Sequence, residues 1–166
     1  MNKTAQRVAL AMLTAALLGA TGARAESPAE RGKYLVSIMD CTGCHTTGAL
    51  AGKPEPAKFL AGSDIGFQIP GLGIFYPPNL TSDVETGLGS WSEQDIANAL
   101  RTGVRPDGRE LAPAMPWRSY SQLTDQDVQA VAAYLKSLPP VSHAVPPLTG
   151  ESEKPPAPYL TVAMPD

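Results

Sequence analysis

Glycine and proline interrupt the sequence so densely between residues 46 and 90 that no long helix or strand fits there. Thirteen of these 45 residues are glycine or proline. Proline breaks a helix and is excluded from central strands, and an irregular segment of this length is uncommon inside a compact domain. We therefore expect the segment to wrap around something other than its own side chains, such as a large buried cofactor.

The composition excludes several classes of protein. Proline contributes 17 of the 166 residues, about twice its usual share, which argues against a helical bundle, a coiled coil or a barrel of long strands. Charged residues make up 17% of the chain, too few for charge-driven disorder. A formal charge of −3 argues against a nucleic-acid binder, and two cysteines cannot form a disulfide-dense scaffold.

Residues 1–25 have the pattern of a secretory signal. Lys3 and Arg7 form a basic start, Val8–Leu18 is apolar but short for a membrane span, and Ala23-Arg24-Ala25 has the small-x-small form of a cleavage site. We expect cleavage after Ala25 and export to the periplasm; the alternative is an uncleaved membrane anchor. Loss of a leader with three basic and no acidic residues would change the formal charge from −3 to −6.

Capping signals predict three helices in the remaining chain. Ser27-Pro28-Ala29-Glu30 begins a helix that continues into Cys41, Ser92 begins one that ends at Gly103, and Thr124 begins one that ends at Pro139-Pro140. Between them, two short stretches at 67–69 and 74–76 are candidates for extended structure, and 104–119 is expected to be irregular. We assign residues 26–141 to one domain and the proline-rich residues 142–166 to an extended tail.

The pentapeptide Cys41-Thr42-Gly43-Cys44-His45 is the attachment motif of c-type haem. Two thiols at this spacing reach the two vinyl groups of one haem, and the histidine that follows is delivered to the iron as an axial ligand. A zinc site would need more ligands than the chain offers, because only His143 remains outside the motif. A thioredoxin-like pair lacks its strand–helix context, and a disulfide would leave His45 and the long loop unexplained.

A second axial ligand is expected from a methionine. Met39 lies on the helix leading to the motif, where core packing is the simpler role, and Met164 lies two residues from the end of the sequence. Met115 stands between Pro113 and Pro116, whose restricted backbones would present its sulfur at little entropic cost. Met115 is therefore the predicted ligand, with a gap-filling core methionine as the alternative role and His143 as the alternative ligand.

Taken together, the motifs resemble those of class I cytochromes c, and more narrowly one haem domain of the cytochrome c subunits of bacterial membrane-bound alcohol and gluconate dehydrogenases. The resemblance covers roughly residues 29–141. It is carried by Arg31-Gly32-x-Tyr34-Leu35, Cys41-x-x-Cys44-His45, Asn79-Leu80-Thr81-x-Asp83-x-Glu85-Thr86-Gly87, Gly89-x-Trp91-Ser92, Gly103-Val104-Arg105-Pro106-Asp107-Gly108-Arg109, Pro113-Ala114-Met115-Pro116 and Leu138-Pro139-Pro140.

The resemblance implies an all-α fold with three to five short helices and long loops around one covalent haem c. It implies thioether bonds from Cys41 and Cys44 and axial ligation by His45 and Met115. The first and last helices would cross, with Gly32 and Tyr34 meeting Tyr134 and Leu135, and a carbonyl of Pro54 or Pro56 would orient His45. Family subunits often carry three haem domains, whereas this sequence has one attachment motif.

Four further side chains are candidates to bind the haem propionates, and ordinary loop packing is the alternative for each. They are Tyr76, Asn79, Trp91 and Arg105. Trp117 is expected to pack beside Met115 on the distal side.

The predicted function is that of a periplasmic monohaem cytochrome, not an enzyme. It would carry one electron at a time between a dehydrogenase and a downstream acceptor, such as another cytochrome or a terminal oxidase. One alternative is a haem-bearing docking subunit of a larger dehydrogenase. A less favoured alternative is a haem enzyme or gas sensor with an open iron site, which requires that Met115 does not bind.

Overall fold

Five α-helices, two short 3₁₀ helices and three strands form residues 25–165, the part of the chain that this computed structural model describes. The signal sequence predicted for residues 1–25 lies outside the described residues, apart from Ala25, so export and cleavage stay predictions. None of the helices described in residues 25–165 is long and apolar enough to cross a membrane.

The elements follow one another in an order that places helices at both ends of a long loop. The helices are α1 (Pro28–Ile38), α2 (Cys41–His45), α3 (Glu93–Thr102), α4 (Trp117–Tyr120) and α5 (Asp125–Ser137). The 3₁₀ helices are Ala49–Ala51 and Pro56–Lys58, and the strands are β1 (Gly66–Ile69), β2 (Gly73–Phe75) and β3 (Tyr159–Leu160).

Local capping chemistry explains where the three predicted helices begin. Ser27 and Ser92 each form a capping box with the acidic residue three positions on, at the start of α1 and α3. The Thr124 hydroxyl accepts a hydrogen bond from the Asp127 amide at the start of α5. All three predicted helix starts are confirmed, and α3 ends at Gly103 as predicted.

Two details of the predicted helices are wrong. The first helix does not continue into the cysteine motif, because Asp40 adopts a left-handed backbone with φ of 53° and separates α1 from α2. Aspartate tolerates this conformation better than most residues. In addition, the segment 104–119 is not wholly irregular, since α4 begins at Trp117. A four-residue helix is too short to show an apolar period in the sequence.

The first and last long helices, α1 and α5, pack against each other at the centre of the fold. Gly32 allows their close approach, because a Cβ atom there would lie 1.9 Å from the Ala130 carbonyl oxygen and 2.7 Å from Tyr134 Cβ. At the same interface between α1 and α5, Arg31 Nε donates to Asp127 Oδ1 over 2.9 Å. The predicted contact between Gly32 and Tyr134 is confirmed. Tyr34, the other residue of α1 in that prediction, is 52% exposed, and the Arg31 guanidinium lies over its ring.

One apolar core joins the helices to the cysteine motif. It contains residues of α1, α3 and α5 together with Cys41 and Leu60, and α3 also packs on α5. Seven half-buried side chains pack against this cluster: Met39, Leu80, Trp91, Met115, Tyr120, Leu123 and Tyr134. The cysteine motif and the predicted distal methionine therefore border the same apolar interior.

A small sheet forms within the glycine- and proline-rich region. Strands β1 and β2 pair antiparallel, with Phe67 opposite Phe75, and β3 pairs parallel with β1. The two extended stretches predicted at 67–69 and 74–76 correspond to β1 and β2. With its short helices and long loops, the fold agrees with the class I cytochrome c architecture that the resemblance implied.

The proline-rich segment after residue 141 is extended, but it also packs back onto the loop region. Thr149 forms an antiparallel bridge with Ile74, and Tyr76 donates its hydroxyl proton to the Ala157 carbonyl over 2.9 Å. Farther along, β3 completes the sheet beside β1. Sequence pattern alone could not show these contacts, because an extended chain without periodicity is the same whether it is solvated or paired.

We expect Gly32→Ala to destabilise the protein by about 2 kcal/mol, since the new methyl group would force α1 away from α5. The change is measured as a lower denaturation midpoint in guanidinium chloride. Lys33→Ala, at an exposed position of the same helix, is the control and should change stability by less than about 0.5 kcal/mol. Equal stability of the two variants would contradict the close helix contact.

Candidate haem site

The two cysteines and the histidine of the motif share a single helical turn, α2. In an α-helix, residues three apart lie on the same face, so Cys41 and Cys44 project side by side and His45 follows directly. Cys41 and His45 are buried, whereas Cys44 is half-buried. The two sulfur atoms are placed as a pair on the element that also carries the histidine.

The surroundings of the thiols favour the protonated form. Burial, assisted by the negative charge of Asp40, raises the pKa of Cys41 to about 11, and the same two causes raise the pKa of Cys44. A redox-active cysteine lies where its thiolate is favoured. These thiols have the opposite environment, which disfavours a redox-active pair.

His45 is held in one tautomer by a backbone carbonyl. The Nδ1 atom lies 2.8 Å from the Pro78 carbonyl oxygen, which can only accept, so Nδ1 carries the proton and donates. Burial lowers the pKa of His45, although the bond to Pro78 acts in the opposite direction. The ring is therefore neutral near pH 7, and its Nε2 lone pair is available to a metal.

The identity of this carbonyl corrects the sequence-based expectation, which named Pro54 or Pro56. Those residues lie in an exposed excursion around the second 3₁₀ helix, whereas Pro78 is 33 positions from His45. A signal was present in the sequence, because Pro77-Pro78 directly precedes the motif that begins at Asn79. Proximity along the chain was a poor guide, since the loop returns to His45 only after forming β1 and β2.

Met115 occupies a constrained position against the core. Its amide donates to the Ala112 carbonyl over 2.9 Å, and its own carbonyl accepts from the Trp117 amide over 2.8 Å. The side chain packs against the apolar cluster that includes Cys41. Met39 packs against the same cluster, whereas Met164 is 82% exposed, so Met39 is the only rival among these methionines that borders the core.

Both ring nitrogens of His143, the alternative ligand, already have partners. Nδ1 donates to the Ala61 carbonyl over 2.8 Å, and Nε2 faces Asp64 Oδ1 at 3.5 Å. A metal bound at His143 would have to displace either the Ala61 carbonyl from Nδ1 or the Asp64 carboxylate from the vicinity of Nε2. This requirement disfavours His143 both as the second axial ligand and as a ligand of a zinc site.

Arg105 has the features expected of a partner for a carboxylate that is not part of the chain. Within residues 25–165, its Nε is the one buried side-chain nitrogen or oxygen without a hydrogen-bond partner. The guanidinium stacks over the Trp91 ring at 5.4 Å and reaches Asp107 through Nη2 at 3.2 Å. Partial burial and the charge of Arg105 also lower the pKa of Arg109. A propionate group would satisfy the orphaned donor and the excess positive charge.

Two further propionate candidates, Tyr76 and Asn79, are bonded within the protein, whereas Trp91 lies beneath the Arg105 guanidinium. The Asn79 amide donates to Thr86 Oγ1 and to the Val141 carbonyl, and its oxygen accepts from Thr81. The Tyr76 hydroxyl donates a hydrogen bond to the Ala157 carbonyl. A propionate bond from either residue would therefore require an existing hydrogen bond to break.

The two aromatic residues of α4, Trp117 and Tyr120, make different contacts. Trp117 covers Gly103, where a Cβ atom would lie 2.3 Å from the indole ring, so it ties the segment carrying Met115 to the end of α3. Tyr120, which the sequence analysis did not single out, donates to the Met39 carbonyl over 2.9 Å. Burial and the neighbouring cysteines and Asp40 raise its pKa to about 12, so the phenol remains a hydrogen-bond donor.

A groove of about 460 Å³ opens beside α2. It is bordered by the two residues between the cysteines, Thr42 and Gly43, and by the excursion at Ala49, Pro54, Pro56 and Phe59. Phe59 is 41% exposed. The groove therefore reaches the two residues that separate the cysteines in the sequence.

The sequence that builds this site is similar to the sequences of known proteins. The profile of the cytochrome c family matches residues 29–139, two thirds of the chain. The chain belongs to the cytochrome c family. Covalently attached haem c is the group that the family carries, and the thiol pair, the neutral His45 and the orphaned Arg105 donor all fit it.

Similar proteins are cytochrome subunits of bacterial dehydrogenases. The fructose dehydrogenase cytochrome subunit of Gluconobacter japonicus is 38% identical over 139 residues, covering 76% of this chain and 27% of that protein. The alcohol dehydrogenase (quinone) cytochrome c subunit of Gluconobacter oxydans is 35% identical over 130 residues, covering 78% and 24%. The gluconate 2-dehydrogenase cytochrome c subunit of Pantoea cypripedii is 37% identical over 116 residues, covering 69% and 24%.

This cytochrome spans about a quarter of the length of those relatives. The resemblance to alcohol and gluconate dehydrogenase subunits is confirmed, and fructose dehydrogenase joins them. The relatives are cytochrome subunits rather than catalytic ones, in agreement with the prediction of an electron-transfer protein.

Replacing Met115 by alanine should remove the weak long-wavelength absorption band of a methionine-bound ferric haem, lower the reduction potential and let cyanide bind. The matched variant is Met39→Ala, which removes the rival thioether and should leave the band in place. Loss of the band in Met39→Ala and its survival in Met115→Ala would reverse the assignment.

We expect Arg105→Gln to lower the reduction potential by roughly 40 mV, the equivalent of about 1 kcal/mol for a one-electron couple, because a positive charge that disfavours the ferric state is lost. Arg118→Gln removes the same charge from an exposed arginine that stacks on Trp117 and should change the potential much less. Equal shifts in the two variants would assign the effect to net charge alone.

Proposed function

We propose that this cytochrome carries a single haem c and transfers one electron at a time from a dehydrogenase to a downstream acceptor. The observation that carries the proposal is the turn of α2, which presents two thiols and a histidine whose Nδ1–H is donated to Pro78. When bound, the haem supplies an iron that alternates between the ferric and ferrous states.

The chain's own residues prepare the site for such transfer. Cys41 and Cys44 would hold the group covalently, and His45 and Met115 would be its axial ligands. The bond between His45 Nδ1 and Pro78 prevents rotation of the imidazole and raises its basicity as a ligand. The prolines on either side of Met115 restrict its backbone, so both ligand positions can stay in place during transfer and little rearrangement is needed.

The surroundings of the site support electron exchange at one face and exclusion of water elsewhere. Cys41 and Met115 border an apolar core, which keeps water away and disfavours the more highly charged ferric state. The groove beside α2 leaves Thr42 and Gly43, the residues between the cysteines, accessible. We place the route of electron transfer at that face.

A dehydrogenase is the proposed electron donor, because the similar subunits named above belong to alcohol, fructose and gluconate dehydrogenases. A second function, as a haem-bearing docking subunit of such a complex, is favoured by the same relatives, since each is a subunit. The acceptor would be another cytochrome or an oxidase. We place the protein in the periplasm, on the secretory pattern of residues 1–25.

The number of haems and the attachment residues can be tested together. Intact mass spectrometry of the protein produced in a periplasm with haem-attachment machinery should give the mass of the chain from Glu26 plus one haem. Cys44→Ser should lose the second thioether bond and leave one vinyl group unreacted, which moves the α band of the pyridine haemochrome to longer wavelength. The conservative control Thr42→Ser should keep both thioether bonds and the wild-type band. A wild-type protein without covalent haem would overturn the proposed function.

To identify the donor, the purified protein is mixed with a candidate dehydrogenase and its substrate, and reduction is followed in the visible spectrum. Gel filtration of the same mixture distinguishes the two functions. A carrier is reduced by the dehydrogenase and then elutes separately from it, whereas a docking subunit elutes together with the dehydrogenase. Oxygen binding by the reduced protein would instead favour an open-site haem enzyme or sensor.

A further inference from the structure

His45 is held by two backbone groups from opposite sides of the long loop. Its Nδ1 donates to the Pro78 carbonyl over 2.8 Å, and its own carbonyl accepts from the Gly62 amide over 2.8 Å. The two sides of the loop are joined by hydrogen bonds from Ser63 to Pro77 and from Leu80 to Leu60. The position of the imidazole therefore depends on how firmly this pair of loop segments, 60–63 and 77–80, is kept together.

Residues 141–149, which we call the C-terminal strap, cross both segments. On one side, the Val141 carbonyl accepts from Asn79 Nδ2 over 2.8 Å, at the residue next to Pro78. On the other side, His143 Nδ1 donates to the Ala61 carbonyl over 2.8 Å, at the residue next to Gly62. The strap thus bonds to the immediate neighbour of each group that holds His45.

Packing adds to these hydrogen bonds. Gly62 has a φ of +97°, and a Cβ atom there would lie 2.3 Å from Val145 Cγ1, so the strap rests directly on the Gly62 backbone. The His143 amide also donates to Thr86 Oγ1 over 3.1 Å, and Asn79 donates to the same hydroxyl. The strap is anchored farther on by the bridge between Thr149 and Ile74.

From this arrangement we infer that the C-terminal strap positions the axial histidine, and that His143 is its principal positioning residue. The inference rests on the proposed function only in taking His45 as an axial ligand. His143 acts through the Ala61 carbonyl and the Gly62 backbone rather than by touching the cofactor. Its loss loosens the loop pair and thereby weakens the bond from His45 Nδ1 to Pro78.

The inference is tested by solvent exchange of the His45 Nδ1 proton, followed by NMR on the ¹⁵N-labelled, fully reduced holoprotein. His143→Ala should accelerate this exchange about fivefold, as expected for the loss of one hydrogen bond. His143→Asn should keep the wild-type rate, because asparagine Nδ2 is bonded to Cγ as histidine Nδ1 is and can also donate to Ala61. The matched control is Ser142→Ala, at the exposed neighbouring position, and should behave as the wild type.

Exchange at the backbone amides of Val131 and Ala132 in α5 separates positioning from general stability. These residues lie in the core between α1 and α5, away from the strap's bonds. They should exchange at the wild-type rate in His143→Ala. Parallel acceleration at α5 and at His45 would show that His143 contributes only to global stability and would overturn the inference, as would an unchanged His45 rate.

A second variant keeps the test decisive if His143→Ala does not accumulate with haem. Val145→Ala removes the contact with Gly62 and leaves the bonds of His143 in place, so it should accelerate His45 exchange to a smaller extent. An unchanged rate in this variant would then overturn the inference. Failure of the proposed function is recognised separately, because the wild-type protein would then lack covalent haem or histidine ligation.

Discussion

The hydrogen bond between His45 Nδ1 and the Pro78 carbonyl joins two parts of the chain that lie 33 positions apart. It fixes the tautomer of a buried imidazole, so that Nε2 is the atom that can bind iron. It also closes the long loop onto α2. This bond explains why the loop is rich in glycine and proline, since these residues allow an irregular chain to leave the site and return to it.

A second constraint, the close packing of α1 on α5, supports the first. Gly32 allows the two backbones to approach, and the cluster formed there extends to Cys41 and is bordered by Met115. Cys41 and Met115 are consequently attached to a single apolar interior, with Cys44 and His45 on the same helical turn as Cys41. A cofactor inserted beside it would complete the core of a chain whose helices are short.

The parts of the fold that could be predicted from sequence are those governed by neighbours along the chain. The capping boxes at Ser27 and Ser92 require residues three positions apart, and the haem motif lies within one helical turn. Asp40 shows the limit of this reasoning, because the residues next to it in the sequence do not predict its left-handed backbone. The Nδ1 partner of His45 was wrongly assigned to Pro54 or Pro56, since distance along the chain does not measure distance across a loop.

The C-terminal segment illustrates the same limit on a larger scale. Its composition indicates extended chain, and it is extended, yet its hydrogen bonds to Ala61 and Asn79 come from residues more than 60 positions earlier. The sequence by itself determined the chemistry of this protein: a thiol pair and a histidine at fixed spacing, and a methionine between prolines. Tertiary structure alone decided which carbonyl orients His45, which arginine nitrogen lacks a partner and which segment holds the loop, because these relations arise only when distant parts of the chain pack together.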